Sequence, residues 1–258
     1  MLISAFEILK QSIRQFKHKS EYNKFKKPEF FNDHLFPVVV DLRKQGISVV
    51  KNFKDQSENA KKLIDHYEKI GEKKILNEIE KKRRSTIKSS YKIRVTSLFS
   101  DDDLINFAND NFIIENINQY FGFKPYLREV SVVVDYKNEL SDIPINTQNF
   151  HRDPDDVKLT KIFFYLNDVS INNGPFQFIK TSHLKPWVHE KFLTSNVFKY
   201  YSQDQIFSAT GKSGTIIFAD TNGYHRGLIL NEKFRVMVTA MYTSQNPKYG
   251  KLENIVFK

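Results

Sequence analysis

A β-rich fold braced by helices is predicted for this chain by three observations. Apolar residues in the first half recur at three- and four-residue spacings, the helical period. After about residue 126 the text breaks into short β-branched and apolar runs. Six of the nine glycines, Gly174, Gly211, Gly214, Gly223, Gly227 and Gly250, fall in the last third, where turns between short strands need them. The expected class is α+β, mostly β: a barrel or sandwich with flanking helices. At 258 residues one sizeable core is possible and no composition break divides the chain. A single domain over 1–258 is therefore expected, with 1–125 mainly helical support and 126–258 the β core.

The elements follow in order. Leu2, Ile3, Phe6, Leu9, Ile13 and Phe16 give residues 1–18 one apolar stripe, an amphipathic helix packed on the body of the fold. The basic residues of 17–36 read as an irregular connector. A short helix over 38–45 is stopped by Gly46, and Ile47, Ser48, Val49 and Val50 lead in as a strand. A helix from about Gln56 uses Ala60, Leu63, Ile64, Tyr67 and Ile70, and resumes past Gly71 through Ile75, Leu76 and Ile79. Its basic end, Lys81 to Arg84, is interleaved with glutamates and lacks spaced aromatics, so it reads as a solvated helix end and not as a nucleic-acid surface. Residues 101–120 open on three aspartates and form a further helix. Strands are predicted over 130–135, 159–166, 215–219 and 234–242, with Asn173-Gly174 as a hairpin signal.

Composition excludes several chemistries. Without cysteine there is no disulfide, thiolate nucleophile, Cys-ligated zinc or iron–sulfur cluster, so a metal must be held by His and carboxylates. The glycines include no dinucleotide fingerprint, and no apolar run approaches the roughly 20 residues of a membrane span. A cytoplasmic protein is expected. The formal net charge of +10 fits an anionic partner in general, without choosing among nucleic acid, a membrane surface and anionic substrates.

The stretch Asn149-Phe150-His151-Arg152-Asp153-Pro154 is the most informative. On an extended strand, side chains two apart leave the same face, so His151 and Asp153 can address one ion. His225 follows the strand at 215–219 and can supply the second histidine of the two-histidine, one-carboxylate face that suits non-haem iron(II). Arg235, in an otherwise apolar strand, needs an anion, and its guanidinium can grip a carboxylate with two parallel bonds. A protein-kinase catalytic loop is ruled out, because the required asparagine is Lys158. Gly211-Lys212-Ser213 is a turn and not a Walker A loop, whose first glycine would stand at Ile206.

Residues 146–235 resemble the phytanoyl-CoA dioxygenase-like branch of the iron(II)- and 2-oxoglutarate-dependent oxygenases. The likeness is carried by Gln148 to Pro154, Lys161 to Val169, Asn173 to Phe176, Thr181-Ser182-His183, Gly214 to Phe218, Tyr224 to Gly227, and Arg235. It implies a double-stranded β-helix (a jelly-roll, cupin-like barrel) with iron(II) held by His151, Asp153 and His225. Arg235 would bind the distal carboxylate of 2-oxoglutarate, and dioxygen would be the oxidant. The implied reaction hydroxylates or otherwise oxidises a small-molecule or carrier-linked metabolite, releasing succinate and carbon dioxide. Asp153 stands where related halogenases have a small residue, which favours hydroxylation. Gly227 stands where some relatives have a serine contacting the cosubstrate, which leaves Lys161 and Asn149 as candidate donors. His183 is expected at a turn and Trp187 in packing. Basic residues near the motif, Arg152, Lys158, Lys161 and Arg226, are compatible with an anionic substrate. Two alternatives are a nucleic-acid demethylase of the same superfamily, whose second arginine is here Met241, and a catalytically silent barrel that binds an anion.

Overall fold

In the computed structural model, residues 36–85, 91–138, 142–156, 158–185, 191–192 and 197–244 are described. The predicted helix at 1–18, the connector before residue 36, Trp187 and Gly250 lie outside them. Among the described residues of the first half, four helices alternate with short strands. Helix α1 (Pro37–Gln45) has proline in its first turn and ends at Gly46, whose φ of 83° lets its N–H return to the carbonyls of Asp41 and Leu42. Strand β1 (Ile47–Val50) follows directly. Helix α2 (Glu58–Ser85) is interrupted at Gly71, with φ 75° and ψ 153°. Its basic end is solvated, with Lys81 2.9 Å from Glu78 and Arg84 3.0 Å from Glu80. Strand β2 (Lys92–Arg94) is a three-residue element that the hydrophobic pattern does not announce.

The single helix expected over 101–120 is two: α3 (Asp101–Ala108) and α4 (Asn111–Phe121). The break has a local cause. The Asp110 carboxylate accepts from the Phe112 N–H at 3.0 Å and from the Ser57 hydroxyl at 2.6 Å, so it starts a new helix instead of continuing the old one.

Nine strands follow: β3 (Tyr126–Tyr136), β4 (Phe150–His151), β5 (Leu159–Tyr165), β6 (Phe176–Ile179), β7 (Lys191–Phe192), β8 (Ile206–Ala209), β9 (Ile216–Ala219), β10 (His225–Gly227) and β11 (Phe234–Thr243). They form two antiparallel sheets, ordered β1-β9-β5-β11-β3-β2 and β7-β4-β10-β6-β8. This is the double-stranded β-helix expected, built as two open sheets facing each other. Both edges of the larger sheet, β1 and β2, come from the helical half of the chain.

The period-two rule sorts the side chains of β11. Val236, Val238, Ala240 and Tyr242 join the large apolar cluster with Ile162, Phe164 and Phe218 and with helix residues such as Leu42, Leu63, Phe107 and Ile117. Met237 faces the other way, into a second cluster with Phe163, Tyr165, Ile217, Phe176 and Phe178, which joins the two sheets. The helices therefore cover the outer face of the six-stranded sheet and leave its inner face to the site.

Asn173-Gly174 does not turn a hairpin, because β5 and β6 belong to different sheets. A 3-10 turn at Ile171–Asn173, capped by the Ser170 side chain, carries the chain across, and Gly174 completes it at φ 62°. A Cβ there would lie 2.3 Å from the Leu228 carbonyl oxygen, so glycine is required on both counts. Among the described residues no helix is long and apolar enough to cross a membrane.

Candidate metal centre

Strands β4 and β10 are antiparallel neighbours, and their register sets His151 directly opposite His225. The two imidazole centroids are 4.3 Å apart. Asp153 is fixed just beyond β4 by its own N–H, which donates to the Thr221 carbonyl at 3.0 Å. Its Oδ1 lies 3.9 Å from His151 Nε2 and its Oδ2 3.5 Å from His225 Nε2. One ligand atom from each of the three falls within 4.8 Å of the others, and all three residues are buried. Ligand atoms sharing one ion stand about 3 Å apart, so a small inward movement would let these three hold one.

The orientation of both rings has the same cause. His151 Nδ1 is 2.8 Å from the Asn149 carbonyl and His225 Nδ1 is 3.0 Å from the Gly223 carbonyl, in each case two residues back. A carbonyl only accepts, so each Nδ1 carries the proton and each Nε2 presents its lone pair toward Asp153. Burial pushes the His225 imidazole down to about 3, with His151 adding to the effect, so it stays neutral. For Asp153, burial pushes upward, but Lys161, His225 and His151 together outweigh it and hold the carboxyl well below the usual carboxylate range. His225 and Asp153 are thus in the protonation states a cation needs.

Lys161 comes from the other sheet. It sits on β5 opposite Ala219 of β9 and Met241 of β11, and its Nζ is 2.8 Å from Asp153 Oδ2. Asn149 is placed differently from the expectation for a cosubstrate donor. Its side chain donates to the carbonyls of Pro144 and Asn146, at 3.2 and 3.4 Å, and its part in the site is the backbone carbonyl that orients His151.

Arg235 stands on β11 opposite Asp135 of β3 and is 2% exposed, the burial that makes an anionic partner obligatory. Asp135 is that partner within the protein: Arg235 Nη2 donates to its Oδ2, and Nη1 donates to the Gly174 carbonyl. Lys92 lies 3.4 Å from Asp135 Oδ1. Burial alone would raise the Asp135 carboxyl, but Lys92 and then Arg235 bring it below its ordinary value. Arg235 reaches the metal strand where Gly227 makes room, since a Cβ on Gly227 would lie 3.1 Å from Nη2. The absence of a serine at 227 is therefore matched by a close approach of the guanidinium.

Residues flanking the histidines were only partly legible in the sequence. The Arg226 guanidinium lies over the Phe150 ring and that of Arg152 over the Tyr224 ring. In both pairs the guanidinium carbon is 4.3 Å from the ring centroid. Arg152 also donates to the carbonyls of Ser182 and Lys185, at 2.8 and 3.1 Å. These paired stacks brace the sheet behind the histidine pair. The signal was present in the alternation Phe-His-Arg and Tyr-His-Arg, in which the residues on both sides of each histidine share one face. His183 packs against the Gly46 turn, with Nε2 3.3 Å from the Arg43 carbonyl. Lys158 is tied to the end of α4 through the Tyr120 carbonyl at 2.8 Å, and burial lowers it to about 8.

No family profile matches the chain, and no curated protein matches it in sequence. Solved structures do match its fold. The epimerase SnoN in complex with Fe3+, alpha ketoglutarate and nogalamycin RO aligns at 16% identity over 80% of this chain and 81% of that one, with a TM-score of 0.54. AviO1 from Streptomyces viridochromogenes Tue57 aligns at 14% identity over 83% and 96%, with a TM-score of 0.57. HygX from Streptomyces hygroscopicus, with nickel and 2-oxoglutarate bound, aligns at 11% identity over 83% and 90%, with a TM-score of 0.52. At these identities the comparison establishes the double-stranded β-helix that this chain shares with them.

Proposed function

We propose that this protein is an Fe(II)- and 2-oxoglutarate-dependent oxygenase that hydroxylates or otherwise oxidises a small-molecule or carrier-linked metabolite, releasing succinate and carbon dioxide. The observation that carries the reading is the convergence of His151 Nε2, His225 Nε2 and the Asp153 carboxylate within 4.8 Å, with both imidazoles locked in the ligand tautomer. SnoN and HygX, which share the fold, are described with a metal and the 2-oxo acid bound, and this supports the same ligands here.

His151, Asp153 and His225 would hold the iron, a donor set of borderline and hard ligands that leaves positions open. The bound iron would supply the oxidising chemistry, using dioxygen and the decarboxylation of 2-oxoglutarate. The residues of the chain do the rest. Arg235 is the anchor for the distal carboxylate of the 2-oxo acid. Its Nε makes no hydrogen bond among the described residues, and together Arg235 and Lys92 face the single carboxylate of Asp135, which leaves one positive charge over. Lys161 is the better-placed second donor, since Asn149 is engaged in its own loop. Phe176 and Phe178 wall the inner face beside His225 and keep water from it. SnoN is an epimerase, so the same fold supports outcomes other than hydroxylation, and the product formed here is what separates them.

Succinate formation tests the reading. Purified protein supplied with iron(II), 2-oxoglutarate and air is expected to form succinate slowly without its substrate, and His225→Ala to lose at least about a hundredfold of that rate. Equal rates in the two proteins would sink the assignment.

A further inference from the structure

The proposed metal site already contains a cation. Lys161 reaches across from the six-stranded sheet to the ligand carboxylate, and among the described residues Asp153 is its one acidic partner. The Lys161 side chain is 20% exposed and that of Asp153 11% exposed, so water screens the pair only in part. Ammonium and carboxylate balance in charge, while Asp153 Oδ2 is buried without a hydrogen bond, so the pair is held by its charges and not by hydrogen-bond geometry. A divalent ion entering among the same three ligand atoms meets the Lys161 charge as a like charge and competes with it for Asp153 Oδ2.

Two roles can be distinguished for such a lysine. If it only aims the carboxylate, removing it loosens the ligand and weakens metal binding. If it stands in for the ion, removing it strengthens metal binding. The geometry favours the second role. Asp153 is already held by the Thr221 carbonyl through its own backbone N–H, and Lys161 contacts the oxygen nearer to His225 Nε2, 3.5 Å away, where an ion would sit.

We propose that Lys161 is a stand-in cation: it balances the charge of the buried Asp153 carboxylate in the ion-free protein, lowers the affinity of the site for a divalent ion alone, and makes ion retention depend on an anionic co-ligand. The inference rests on the iron and 2-oxoglutarate reading above. A divalent ion, the Lys161 ammonium and the Asp153 carboxylate together leave two positive charges; the carboxylate of 2-oxoglutarate beside its keto group offsets one of them, while the distal carboxylate goes to Arg235. Lys161 thereby couples the two ligands, each binding better when the other is present.

The test is a titration of the full-length protein with cobalt(II) at one neutral pH, followed by its visible absorption, with and without 2-oxoglutarate. Lys161→Met and Lys161→Gln remove the charge, and Lys161→Arg keeps it. Both neutral variants are expected to bind cobalt about tenfold or more tightly in the absence of 2-oxoglutarate, and Lys161→Arg to match wild type. Adding 2-oxoglutarate should tighten cobalt binding more in wild type and Lys161→Arg than in the neutral variants. Weaker or unchanged cobalt binding in both neutral variants overturns the inference, as does an equal effect of 2-oxoglutarate on all four proteins. Failure of the metal site itself reads differently: wild type and His225→Ala would then take up cobalt to the same extent.

Discussion

His225 is the residue whose protonation the site can least tolerate, because a charged imidazole loses its lone pair and is buried beside Lys161. Its folded value of about 3 lies below the ordinary 6.5, so the unfolded chain binds the proton more readily than the folded one. The contribution is fully present above the unfolded value and is lost as pH falls toward the folded value. Unfolding free energy of the metal-free protein should therefore fall by up to about 1.4 kcal/mol per pH unit through this group as pH drops below about 6.5. Urea unfolding between about pH 6.5 and 4.5 checks this, since His225→Phe should lack that part of the slope. Asp153, held low by Lys161, adds its own loss only in more acid solution. At this scale His151, Asp153 and His225, which the fold brings within 4.8 Å of one another, could be picked out by residue type and order, and so could Arg235 as a buried arginine in need of an anion. Asp135 could not, because an acid at the end of a β-branched run looks like the residue that stops a strand. It proved to be the charge that lets Arg235 remain buried.

Among the elements, legibility followed length. Strands β3, β5, β9 and β11 each carry a run of apolar or β-branched residues long enough to show a period, and the sequence announces them. Strands β4 and β10, which hold the two histidines, are two and three residues long, too short for any pattern of their own. They were found through their chemistry. Helix ends depended on single residues, and the two glycines of α1 and α2 allow a comparison. Gly46 and Gly71 have similar φ values, 83° and 75°, but a Cβ on Gly46 would lie 2.5 Å from His183 Nδ1, while nothing lies within 4 Å of one on Gly71. Gly71→Ala should cost about 2 kcal/mol from backbone strain alone, because φ 75° with ψ 153° lies in a region held almost only by glycine. Gly46→Ala should cost about 2–4 kcal/mol, because the turn that holds His183 must also move. Thermal denaturation of the two variants separates strain from crowding, and equal losses would show that the His183 contact yields freely.

For the whole molecule, the expected division into a helical support before residue 126 and a β core after it understates what the first part does. β1 and β2 close the two edges of the six-stranded sheet, and the helices cover its outer face. A fragment starting at residue 126 would expose Ile162, Phe164, Phe218, Val236 and Val238 together with the open edges of β9 and β3. It should be insoluble or unfolded by circular dichroism when expressed alone; a soluble fragment with a cooperative melt would show that the β half is self-sufficient.

The pairing of β1 with β9 also bears on how the chain reaches this state. Ile47 waits for Ala219 and Val50 for Ile216, partners more than 160 residues later in the chain. Until β9 leaves the ribosome, β1 has no neighbour, and the insertion of β9 between β1 and β5 is among the last steps available. Loop closure over such a span is slow relative to helix formation. The sheet that the early helices cover stays incomplete until β9 and then β11, which joins β5 to β3, have emerged, and the apolar faces they share are exposed to aggregation until then.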